Sequence, residues 1–236
     1  MTEITPISRN RVKLTARKHL QKNFAAAIKA NWIVIFFNLF QTALVLTTTY
    51  LVLLNYHQTG QLVYFNQRSA YFSQTIASTV ALVFSWSAKW AIVDQFQEPK
   101  AKVTWSQSIQ AFRFGRFFAT FMLAFVQNIL LFLWSALVIP GFVKSFSYSQ
   151  TYYAFKMDSL FGRQQKSLTD YISISRRVMS GRKMELFQLE LSFLGWHLLG
   201  FLTFGLAYIY VTPYLNTARV VYSSQVFAQA LQKGEA

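Results

Sequence analysis

Long apolar runs constrain this chain more than any other feature. No charged residue interrupts Trp32 to Leu54, and about twenty such residues at 1.5 Å each match the ~30 Å hydrocarbon core of a bilayer. Within lipid only helices and closed barrels satisfy their own backbone hydrogen bonds. With 53% of 236 residues hydrophobic and 13% charged, the composition excludes a soluble enzyme fold. It predicts an all-α, polytopic membrane protein. The first run follows a polar, basic stretch, is too long for a signal-peptide core and has no small-residue cleavage site after it. It reads as a retained anchor.

Six spans are expected, at 32–54, 74–95, 117–139, 141–157, 186–201 and 204–226. A basic segment, 1–31, precedes this single domain (32–226), and a cytoplasmic tail, 227–236, follows it. The fourth and fifth spans are short for a bilayer and need flanking aromatics or local thinning. A four-span alternative lays 141–157 on the outer surface and runs one helix from 186 to 212. Charge favours six. Basic residues collect in 1–30 (Arg9, Arg11, Lys13, Arg17, Lys18, Lys22, Lys29), in 96–116 (Lys100, Lys102, Arg113, Arg116) and in 156–185 (Lys156, Arg163, Lys166, Arg176, Arg177, Arg182, Lys183), and the tail adds Lys233. Loop 55–73 carries only Arg68. Six spans put every basic segment on the cytoplasmic side, as the positive-inside rule requires. Both termini then face the cytoplasm of a plasma membrane, and the net charge of +15 follows from topology without invoking nucleic acid.

Three connecting segments read as basic amphipathic helices. Ala16, Leu20, Phe24 and Ile28 recur at helical spacing after Val12, and Trp105, Ile109 and Phe112 form a second set. The third, 168–180, opens with a Ser167 to Asp170 capping box and closes near Gly181, with Leu168, Tyr171, Ile172, Val178 and Met179 on one face. Each precedes a predicted hairpin of spans (32–95, 117–157 and 186–226), giving three similar units with no residue-level repeat.

Leu133-Trp134-Ser135, Ile139-Pro140-Gly141, Lys144 and Ser147-Tyr148-Ser149 resemble the central signature of the bacterial integral-membrane family called domain of unknown function 975. Further on, Ser175-Arg176-Arg177, Met179, Gly181, Glu185-Leu186-Phe187, Leu191-Ser192-Phe193, Gly195-Trp196, Leu202-Thr203 and Thr212-Pro213-Tyr214 fall in the order the resemblance implies. It covers roughly 130–215, with Tyr210 where tryptophan is expected. The resemblance implies a membrane fold and supplies no activity.

Pro140-Gly141 is expected to make the outer turn of a hairpin, with a gating hinge as the sharper reading, and Pro213 to kink the last span. A charge inside hydrocarbon costs several kcal/mol unless it is paired or snorkels, so Lys89, Lys144, Glu190, His197 and Arg219 stand out. Lys144 can snorkel outward. Glu190 lies at a depth similar to Lys89 and Arg219 and is expected to pair with one or both, while His197, seven residues on, shares its face. The cluster is either a structural register device or a solute pathway. No cofactor or metal is expected: His19, His57 and His197 lie in three different compartments, and no HExxH, phosphate-binding or nucleophile-elbow motif exists. Without cysteine, thiolate chemistry is excluded. The chain is therefore expected not to be an enzyme. A scaffold or accessory subunit is the leading expectation, binding anionic lipid through Arg176, Arg177, Arg182 and Lys183, or a membrane-protein partner or second copy. The alternative is a small transporter or exporter component using the Glu190 and His197 face. Water-sized voids beside Glu190 would reverse that order.

Overall fold

A computed structural model describes residues 5–61, 71–113, 116–161 and 166–232; Arg68, Arg163 and Lys233 lie outside them. Every regular element among these residues is helical. The helices are α1 (Arg9–Lys22), α2 (Phe24–Thr59), α3 (Tyr71–Gln97), α4 (Phe117–Ser135), α5 (Val138–Ser147), α6 (Thr151–Leu160), α7 (Leu168–Val178), α8 (Lys183–Leu191), α9 (Leu194–Leu202) and α10 (Tyr208–Gln232), with a short 3₁₀ helix at Trp105–Phe112. Three helical stretches are long and apolar enough to cross a membrane: Phe24–Thr59, Gln74–Gln97 and Phe117–Ser135. They contain the first two expected spans and most of the third.

The remaining expected spans need correction. Residues 141–157 do not form one helix: α5 ends at Ser147, and the chain turns through Tyr148–Gln150 before α6. Ser175 holds that turn by donating to the Ser147 carbonyl at 2.7 Å and accepting the Gln150 N–H at 3.0 Å. Residues 186–201 likewise divide into α8 and α9, parted where Ser192 Oγ donates to the Leu189 carbonyl and competes with the helical ladder. The expected span 204–226 starts late, because Phe204 and Gly205 take left-handed backbone angles (φ 55° and 93°) in the turn before α10. Residues 227–232 of the expected tail are instead the end of α10, where Phe227 and Ala230 are buried.

One glycine assignment also changes. The turn after α4 is at Ala136–Leu137, and Pro140 and Gly141 lie inside the first turn of α5, where proline loses no helical hydrogen bond. A Cβ on Gly141 would sit 2.8 Å from the Trp134 carbonyl oxygen, so glycine is there for the close return of α5 onto α4. Gly200, inside α9, makes room for the Tyr208 ring, and the turn before α10 uses Gly205. Gly181 does adopt the left-handed conformation after α7 (φ 76°), and the Ser167 N–H donates to Asp170 at 2.8 Å.

The N-terminal half of α10 is the hub, buried almost continuously from Val211 to Val221. α1 lays Val12, Ala16 and Leu20 against it; burying a leucine fully is worth about 1.5–3 kcal/mol. The amphipathic face of α1 is thus covered by protein, not by a bilayer, and Asn23 breaks the helix before α2. α7 similarly packs on α6 and α4. Large apolar side chains remain exposed on α2 (Phe36, Phe40, Leu51, Leu53), at the α4–α5 turn (Phe132, Leu133, Val138, Ile139) and on α9 and the turn that follows (Leu198, Leu202, Phe204, Leu206). Such a belt is what lipid covers in a membrane protein.

Candidate functional site: a polar cavity pair around Arg219

On α10, Thr212, Asn216, Arg219 and Ser223 recur at steps of four, three and four, which places them on one face of a helix. Arg219 meets Glu190 of α8 in a two-pronged pair, with Nε to Oε1 at 2.7 Å and Nη2 to Oε2 at 2.8 Å. That geometry fits a guanidinium to a carboxylate better than any lysine could. The Arg219 and Glu190 side chains keep 32% and 25% exposure, because they face cavities within the fold.

The larger cavity, about 410 Å³, lies between α3, α4, the α5–α6 turn, α8 and α10, and its wall includes Lys89, Gln127, Gln150, Tyr152, Glu190 and Arg219. The smaller, about 280 Å³, includes Asn38, His197, Tyr208, Thr212, Asn216 and Arg219. Ser85 and Arg219 belong to both walls. Each cavity has room for on the order of ten waters.

Lys89 is not the partner of Glu190. Its Nζ lies 4.7 Å from the centroid of the Tyr152 ring, a cation–π contact, and among the described residues it forms no salt bridge. Tyr152 is fixed at both ends: its carbonyl accepts the Trp90 Nε1–H at 2.9 Å, and its hydroxyl lies 2.8 Å from Ser223 Oγ. Ser223 donates to the Arg219 carbonyl, so the tyrosine is the donor to Ser223. His197, expected near Glu190, sits beside the other cavity with Nδ1 3.3 Å from the Tyr208 hydroxyl. Asn38 donates to Thr212 at 2.9 Å, and Asn216 donates to Asn31 at 2.7 Å. The spacing on α10 was readable in the sequence. Ser85, Gln127 and Gln150 were not, since single uncharged polar residues in apolar runs give no signal of what they face.

The other expected site residues lie apart. Pro213 is buried within α10 and cannot donate to the Ile209 carbonyl. Lys144 stacks over Trp134 at 4.4 Å, beside the neighbouring helix end. In the expected basic patch, Arg176 is exposed and Lys183 half-buried. Arg182 is not a surface residue: it is 5% exposed and donates to Gln229, to Glu185 and to the Thr5 carbonyl. On the same side, Tyr171 donates to the buried carboxylate of Asp158 at 2.6 Å. Burial, with that hydrogen bond, pushes its phenol well above the ordinary range. Among the described residues no three His, Asp or Glu side chains gather as a metal site would require.

Residues 136–230 match the family described as "Protein of unknown function (DUF975)". The family resemblance carried by the second half of the chain is therefore borne out over that segment, which supplies α5 to α10 and most of the cavity walls. No curated protein and no solved structure matches the chain.

Proposed function

We propose that this chain is a non-enzymatic, multi-pass protein of the bacterial plasma membrane that passes a small hydrophilic solute along the two cavities. The observation carrying this reading is that the cavities share Ser85 and Arg219 and flank the Arg219–Glu190 pair. A pair serving only to hold helices in register would be enclosed by packing atoms; this one borders two cavities. Ionisable groups beside water-filled space within a membrane domain commonly mark solute routes.

In this reading α2, α3 and α4 cross the membrane, and the bent pairs α5–α6 and α8–α9 return with α10 to complete six crossings. α8 and α9 together span about 30 Å at 1.5 Å per residue, and a break at Ser192 in a crossing helix is tolerated where it adjoins protein or a cavity. The basic residues of α1 and α7 then face the cytoplasm with both termini.

The test is solute flux in proteoliposomes. The protein should move a small hydrophilic solute, and Arg219→Gln should reduce that movement severalfold while the protein remains folded. Equal leakage from protein-free vesicles and from every variant would end the proposal.

Exposed Arg9, Arg11, Arg17, Lys18 and Lys22 on α1 favour a second reading, an inner-leaflet scaffold that orders anionic lipid or docks an acidic membrane partner. Each basic residue near such a surface contributes about 1 kcal/mol. Retention of anionic lipid that is lost on replacing these residues with glutamine, in a protein without flux, would favour the scaffold.

A further inference from the structure

The larger cavity carries one positive charge more than its acids balance. Glu190 is engaged in both prongs by Arg219, leaving the Lys89 ammonium with no ion pair among the described residues and with the Tyr152 ring in contact with it. Lys89 is 8% exposed, and a ring face offsets only part of what it costs to bury a cation away from a carboxylate. A ligand anion would complete the balance.

The polar groups beside it define the rest of the ligand. Ser145, Ser149 and Ser223 each donate their one proton to a backbone carbonyl, of Phe142, Phe146 and Arg219 respectively. Their oxygens can therefore only accept, and those of Ser149 and Ser223 already do, from Gln150 Nε2 at 3.1 Å and from the Tyr152 hydroxyl at 2.8 Å. Gln127, 6% exposed, has no hydrogen bond at either end of its amide among the described residues, and Gln150 Oε1 is buried without a partner. Unfilled buried polar groups of this kind mark an occupant that supplies the missing bonds. An anion made of acceptors alone, such as a plain carboxylate, would satisfy Lys89 and leave the Gln127 and Gln150 amide oxygens unmet.

Resting on the solute-passage reading of this cavity, we infer that its ligand is a small hydroxylated monoanion, its negative group at Lys89 and its hydroxyls donating to the Gln127 and Gln150 amide oxygens. The chemistry is that of a short hydroxycarboxylate. Lys89 selects the charge, and Gln127 and Gln150 select the hydroxyls.

Three probes separate these requirements in the purified full-length protein. Glycerate has the charge and the hydroxyls, glycerol lacks the charge, and propionate lacks the hydroxyls. In equilibrium binding by calorimetry, glycerate should bind about tenfold or more tightly than either, the scale of one charge-assisted hydrogen bond. Lys89→Gln should erase the preference over glycerol, and Gln127→Leu should reduce the preference over propionate. If either variant fails to fold, the comparison on the native protein still decides. Glycerol equal to glycerate overturns the anion requirement, propionate equal to glycerate overturns the hydroxyl requirement, and no binding by any probe overturns the site. The failures remain distinct: selective glycerate binding without flux removes the passage reading and leaves the ligand class standing. Flux of glycerol as fast as glycerate leaves passage standing and removes the ligand class.

Discussion

Replacing Glu190 with glutamine removes the carboxylate from a two-pronged pair and leaves the Arg219 guanidinium facing two cavities alone. Fully buried pairs lose about 3–5 kcal/mol when one partner goes, whereas exposed pairs contribute about 0–1 kcal/mol. With a quarter and a third of the two side chains exposed to cavity space, this pair falls between, and Glu190→Gln should cost about 2 kcal/mol. The double change Glu190→Gln with Arg219→Gln removes both charges together and should recover about 1 kcal/mol of the summed losses. The same cycle run with Lys89→Gln should show a smaller coupling, because Lys89 contacts Tyr152 and not Glu190. The assay is equilibrium unfolding in mixed micelles followed by helical circular dichroism. Purely additive losses for Glu190 and Arg219, or a larger coupling to Lys89, would refute the pairing argument.

Other perturbations follow from local geometry. Gly141→Ala should destabilise by about 1–3 kcal/mol, since its Cβ meets the Trp134 carbonyl at 2.8 Å; Gly195→Ala, with nothing within 4 Å, should instead stabilise by about 0.5–1 kcal/mol, and both are read in the same unfolding assay. Ser167→Cys should resist an impermeant thiol reagent on intact cells while Gln61→Cys reacts, and labelling of both would contradict six crossings. Tyr171→Phe should cost about 1–3 kcal/mol by leaving the Asp158 carboxylate short of a donor. Because the folded phenol titrates above its unfolded value, the stability it contributes is complete below about pH 10 and is lost as pH rises further; a variant whose loss does not shrink in that window would contradict this.

The chemistry of the chain is legible in its sequence more readily than its shape. Charge rarity in apolar runs marked Lys89, Glu190, His197 and Arg219, and a pair between Glu190 and Arg219 is present. Which lysine or arginine Glu190 takes depends on three helices converging, and depth along a span cannot rank the two. Hydropathy also could not show that α5–α6 and α8–α9 are each two pieces. Their breaks depend on Ser175 and Ser192 hydroxyls competing for backbone groups, and serine in an apolar run has the same hydropathy whichever group it bonds. α1 was misread for a related reason: a basic amphipathic helix looks the same in sequence whether lipid or α10 covers its apolar face. Arg182 shows the limit of counting charge, since the buried ion pair with Glu185 and an exposed cation contribute alike to a basic run.

The account depends most on the space beside Arg219 being an aqueous route, and Ser85 lies on the wall of both cavities. The chain contains no cysteine, so Ser85→Cys introduces a single thiol at that junction. In proteoliposomes a small, anionic methanethiosulfonate reagent should modify this thiol, and excess glycerate should slow the modification. A thiol at Ser85 that stays unmodified, in protein whose Gln61→Cys counterpart reacts fully, would contradict a solute route through the two cavities.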